Sequence, residues 1–114
     1  MQPQLNIKQE IRPDCLLIKV EGHLTARYIL SARSAFNQAL LDHRNIAVDL
    51  SGIQLLDSMG VGILVNLFKQ LKKKGGRLMI LNPSPVAKEI FEVSDMDKWL
   101  PIHDNGADVD TLFA

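Results

Sequence analysis

The feature that most constrains this chain is an alternation in its middle third. "NIAVDL" at 45–50 and "RLMIL" at 77–81 are short, nearly continuous apolar runs. Runs of that length fit strands covered on both faces, as in a parallel sheet. Between them lies "SMGVGILVNLFKQLKKKGG" at 58–76, where Val61, Leu64, Phe68 and Leu71 recur at helical spacing and define an inner stripe. Parallel strands cannot be joined by a two-residue hairpin, and a helix is their usual crossover. Gly75 and Gly76 stop this helix. The lysines at 69, 72, 73 and 74 fall near the end where the helix dipole favours cations.

The flanking segments extend the pattern. "LNIKQEI" at 5–11 alternates as a half-buried strand does, and "RPD" at 12–14 carries turn residues. "CLLIKVEG" at 15–22 is a second strand, stopped by Gly22, so the two form a hairpin. Thr25 is expected to cap a helix through "ARYILSARSAFNQALLDH", with Ile29, Ala32, Phe36 and Leu40 on one face. "NPSP" at 82–85 reads as a connecting loop, its prolines making it rigid, and "VAKEIFEV" as a short helix. "WLPIH" is a brief edge strand, and "ADVDTLF" a last helical turn with Val109, Leu112 and Phe113 inward. The order predicts the α/β class, with a single domain over residues 1–114. A mostly parallel four- to five-stranded sheet carries an N-terminal antiparallel hairpin and is covered by helices.

Charge and composition narrow the function. The chain has 114 residues with 13 basic and 13 acidic side chains, so no bulk field draws it to nucleic acid or to a membrane surface. No window approaches the ~18 apolar residues of a membrane-spanning helix, and the first ten residues do not resemble a signal peptide. Direct nucleic-acid binding and direct membrane insertion are therefore not expected. The single cysteine, Cys15, opens an apolar run and reads as a small core residue. One unpaired cysteine fits a reducing compartment, and a cytoplasmic protein is the expectation.

At 57–58 an Asp-Ser pair stands between strand and helix. A hydrolase nucleophile elbow requires G-x-S-x-G, whereas the sequence here is Leu56-Asp57-Ser58-Met59-Gly60. A phosphate-binding P-loop is absent, and "GVG" at 60–62 lacks the third glycine of a dinucleotide site. His23, His43 and His103 are scattered, and no Cys/His group has metal-ligand spacing. No catalytic residue, metal or cofactor is expected. Two readings of the pair remain. Asp57 or Ser58 caps the helix, although Val61 takes the place of the Glu or Gln of a full capping box. Alternatively, Ser58 is an exposed serine whose phosphorylation would add about −1.5 to −2 charges beside Asp57 without unfolding anything. Gly60 and Gly62 keep the helix start bare, so another backbone can approach. Met59, Ile63 and Leu67 form a second apolar row, either core or docking surface.

The stretch "VDLSGIQLLDSMGVGILV", with "GRLMILNPSPVAKEIFEVSDMDKWLPI" after it, resembles the STAS domain family of bacterial anti-sigma-factor antagonists. The resemblance runs from about Leu5 to Ile102. It implies a small α/β domain that is not an enzyme. It implies binding to an anti-sigma factor that is also a serine kinase, which releases a sigma factor. It further implies phosphorylation at Ser58, which ends binding until a serine phosphatase restores it. Asp57 is then the acidic neighbour, and Gly60 and Gly62 map onto the close-packed helix start. Family members commonly read Asp-Ser-Ser-Gly, where this chain has Met59 in place of the second serine. Many also carry acids after the second strand, where this chain has Gly22-His23-Leu24-Thr25. Residues 23, 25, 57, 59, 60, 62 and 63 are thus the expected partner-binding set. A non-phosphorylated STAS subunit of a membrane transport complex, docking on an ATPase component, is the alternative.

Overall fold

The structure, a computed structural model, describes residues 4–104, 106 and 108–113. Within them, β1 (Leu5–Ile11) and β2 (Leu16–Leu24) form the expected antiparallel hairpin. A 3-10 turn, Ala26–Tyr28, leads into α1 (Ile29–Asp42). Then come β3 (Asn45–Leu56), α2 (Ser58–Lys73), β4 (Arg77–Leu81), α3 (Pro85–Val93), β5 (Ile102–His103) and α4 (Val109–Leu112). The sheet order is β1-β2-β3-β4-β5, and every pairing after the hairpin is parallel. Each crossover steps to the next strand in the same direction, so the right-handed rule puts α1, α2 and α3 on one face. The final segment "ADVDTLF" begins at Ala107, which lies outside the described residues, as do residues 1–3 and 114 at the ends of the expected domain.

The sheet divides two apolar clusters. Ile46, Val48 and Leu50 of β3 point to the helix-covered face, with Leu16, Ile18, Val20 and Ile80. Ala47 points the other way, with Cys15, Leu17, Met79 and Leu81, under Phe113 of the C-terminal segment. This is why "NIAVDL" is apolar almost without interruption: successive side chains reach opposite, equally buried faces. Arg12 pairs with Asp110, and the Arg77 guanidinium lies 5.5 Å from the Phe113 ring centroid, which together fix the last turn over the back face. Burial pushes the Cys15 thiol above its ordinary pKa, as befits a core residue.

Three details differ from expectation. β3 runs six residues past Leu50, to Leu56, because β2 extends alongside it with irregular register after Lys19. Thr25 makes no side-chain cap, and α1 begins only at Ile29, behind the 3-10 turn. Phe68 is half-buried against Trp99, ring centroids 5.8 Å apart, while Leu67 takes the inner position beside Val61, Leu64 and Leu71. The end of α2 is as predicted. Gly75 has φ +76°, its N–H bonds Lys72 O, and Gly76 N–H bonds Leu71 O, the paired bonds of a Schellman motif.

Candidate functional site

The carboxyl ends of β2 and β3 lie side by side, Leu24 opposite Leu56, and the chain leaves both strands at one edge of the sheet. That edge is where open α/β sheets place their binding sites. Here the two exits are tied together by Asp57. One carboxylate oxygen accepts from Gly60 N–H at 2.9 Å, capping α2. The other accepts from Ala26 N–H at 2.9 Å, thirty-one residues earlier in the chain. Desolvation pushes the Asp57 carboxyl up, but backbone N–H donors from Ala26, Gly60 and Met59 outweigh it, and its pKa lies below the usual 3.8. The charge at the helix start is therefore permanent at neutral pH. Thr25 stands at the N-cap of the 3-10 turn without a side-chain cap bond, and the first N–H of that turn, on Ala26, is bonded by Asp57.

Of the two candidate caps, Asp57 is the one observed. Ser58, the first helical residue, is exposed, and its hydroxyl makes no hydrogen bond among the described residues. The two glycines separate in role. A Cβ on Gly60 would overlap the Leu24 carbonyl oxygen and crowd Leu56, so this glycine lets the helix close against β2. A Cβ on Gly62 would meet nothing within 4 Å. The second apolar row separates too: Ile63 and Leu67 are 7% and 1% exposed, whereas Met59 is 45% exposed. Met59 alone of the three presents a broad apolar surface to solvent. His23 and Thr25 are half-buried beside this edge, and the His23 ring stands edge-on to Tyr28, centroids 6.3 Å apart.

Between α1 and α2 lies an open groove of about 360 Å³, lined by Ser58, Met59, Gly62, Ile63, Asn66 and Arg33. Sequence reasoning did not single out Arg33 or Asn66. Asn66 was accessible to it, since Ser58, Gly62 and Asn66 stand at i, i+4 and i+8 on one helix face. Arg33 comes from another helix, and only the packing of α1 on α2 brings it to Ser58. No group of acidic, histidine or cysteine side chains arranged to hold a metal occurs among the described residues. No described helix is long and apolar enough to cross a membrane.

Comparison with known proteins agrees with this architecture. Residues 6–109 match the STAS domain, and the chain belongs to the STAS domain family. An anti-sigma F factor antagonist from Paenibacillus polymyxa is 25% identical over 103 residues, which cover 89% of this chain and 88% of that protein. A protein of the same name from Lysinibacillus sphaericus is 27% identical over 89 residues, 76% of each chain. Among solved structures, an anti-sigma factor antagonist from Mycobacterium paratuberculosis aligns with a TM-score of 0.86 at 19% identity, covering 96% of this chain and 93% of its own. The anti-sigma factor antagonist SpoIIAA in its unphosphorylated form aligns at 0.72 with 22% identity, over 88% and 90% of the two chains. At such identities the structural likeness speaks to the fold.

Proposed function

We propose that this chain is an anti-sigma-factor antagonist and not an enzyme. It docks on an anti-sigma factor that is also a serine kinase, is switched off by phosphorylation of Ser58, and is restored by a serine phosphatase. The observation that carries this reading is the division of labour at 57–58. Asp57 does all the capping, so the Ser58 hydroxyl is exposed and owes nothing to the fold. A phosphate there breaks no internal bond and adds about −1.5 to −2 charges next to a carboxylate that is already ionised. A partner seated on Met59 and the bare helix face at Gly62, with His23 and Thr25 at its rim and Ile63 buried beneath, then meets a strong new charge in the contact. Gly60 and Asp57 serve by holding that helix start in place. The names of the curated relatives support the class of partner. SpoIIAA, similar in fold, has also been solved in a phosphorylated form, which supports a phosphorylated state here. A cytoplasmic location is part of this reading.

The test is capture from native lysate on immobilised Ser58→Ala and Ser58→Asp proteins. The Ser58→Ala protein is expected to retain an anti-sigma factor with kinase activity, and the Ser58→Asp protein to retain at least about tenfold less, a difference of ~1.4 kcal/mol. Equal retention of that factor by both would contradict the electrostatic switch.

A further inference from the structure

Gly62 is a costly choice that the fold itself does not explain. Glycine in a helix interior destabilises by about 0.5–1 kcal/mol relative to alanine. Gly62 lies in regular helix, outside the left-handed region, and an added Cβ would touch nothing. What lies over it is the groove between α1 and α2. Ser58 and Asn66 stand one turn before and one turn after it on the same helix face, and Arg33 of α1 lines the same groove. Arg33 is exposed and has neither an ion pair nor a hydrogen bond among the described residues. A permanent cation without a partner thus shares a groove with a serine hydroxyl without a partner, above a position where the side chain has been omitted.

We propose that Arg33 is the intramolecular counter-ion for a phosphoryl group on Ser58, which it meets in the space left open over Gly62. The inference rests on the reading of Ser58 as the phosphorylated residue. The γ-phosphoryl group of a nucleoside triphosphate passes to Ser58 Oγ, the hydroxyl proton leaves, and the nucleoside diphosphate is released. The new phosphate carries three acceptor oxygens, and the guanidinium offers a planar fork of donors that matches two of them at once. The Asn66 side-chain amide faces the same space and supplies a further donor. The phosphorylated protein is then more than the unphosphorylated one with added charge. Its groove is bridged, α1 is tied to α2, and the surface offered to a partner changes shape as well as sign.

The phosphate can be placed at residue 58 during translation, by suppression of a stop codon with phosphoserine, so that no kinase is needed. The phosphorylated wild type is compared with Arg33→Gln, Arg33→Lys and Gly62→Leu proteins carrying the same phosphate, by 31P NMR titration. Asp57, the other charge at the helix start, is present in all four and cancels in the comparison. The phosphate of the wild type is expected to titrate roughly half a pH unit or more below that of Arg33→Gln, with Arg33→Lys between them. Gly62→Leu, its groove filled, is expected to resemble Arg33→Gln. Unphosphorylated Arg33→Gln is expected to melt with the wild type, since Arg33 is exposed and unbonded. Identical titration in the wild type and Arg33→Gln would overturn the proposal. Because the phosphate is installed during translation and not by a kinase, that result would leave modification of Ser58 in cells to be decided separately.

Discussion

Two helices of this protein begin one residue after a serine or at one, each at the carboxyl end of a parallel strand, and the two serines have opposite fates. Ser84 precedes α3. It is 7% exposed, its Oγ accepts from Ala87 N–H at 3.2 Å, and its own N–H bonds Leu50 O at 3.1 Å. Pro85 follows it at the first helical position, where the missing N–H costs nothing. Ser84 is consumed by the fold. Ser58 opens α2 one position later in the helix register, because Asp57 has taken the cap. That shift of a single residue moves a serine from the inside of a junction to its outer surface. The acidic residue in the Asp-Ser pair therefore does two things: it holds the helix start, and it frees the serine.

The comparison can be broken by substitution, and the effects rank. Gly60→Ala should be the most damaging, by about 2 kcal/mol in denaturant unfolding. Its Cβ runs into backbone at Leu24, which overpacking costs of ~1–3 kcal/mol describe and helix propensity offsets only in part. Asp57→Ala should cost about 1–2 kcal/mol, since it removes the α2 cap and the tie to Ala26 together. The pH dependence of this site follows from the sign of its shift. A carboxyl held below its usual value stabilises the fold above pH 3.8, and that contribution fades as the pH falls through the folded-state value. The stability gap between the wild type and Asp57→Asn should therefore be full at neutral pH and close below about pH 4.

Smaller effects separate the serines themselves. Ser84→Ala should cost about 1 kcal/mol, because it leaves the buried Ala87 N–H without its acceptor. Ser58→Ala should stay within about 0.5 kcal/mol of the wild type, as exposed and unbonded positions do. Gly62→Ala has the opposite sign: it should stabilise by about 0.5–1 kcal/mol while weakening partner capture. A destabilised Gly62→Ala protein would mean that the glycine serves the fold after all.

Much of this was legible before the structure. The strand and helix periods gave the parallel sheet because they are set by burial on two faces or on one, and β3 and α2 show both in pure form. The turn at Gly75-Gly76 was readable because few residues tolerate φ +76°. The extent of β3 was not, since Ser51, Gly52 and Gln54 interrupt the apolar pattern where only the neighbouring β2 keeps the strand extended. Thr25 failed as a predicted cap because a 3-10 turn follows it and α1 starts only at Ile29, an arrangement tied down through Ala26 by Asp57, far away in sequence. At the site, the helix-start residues were legible as a local motif. Which of Asp57 and Ser58 caps, which glycine is packed, and which of Met59 and Ile63 is exposed are facts of tertiary contact. Arg33 was beyond reach, as an arginine on an exposed helix face carries no mark of what it stands beside.

Ser58 caps no helix and makes no hydrogen bond among the described residues, and on the proposed reading it serves as the switch. The most direct test of that reading is intact-mass spectrometry of the protein purified from its native cells, with and without phosphatase treatment, followed by peptide mapping. A phosphatase-sensitive gain of one phosphate on Ser58 is expected in a fraction of molecules that varies with growth condition, and none on Ser84. Absence of phosphate from Ser58 under every condition, or its presence on another residue, would contradict that reading.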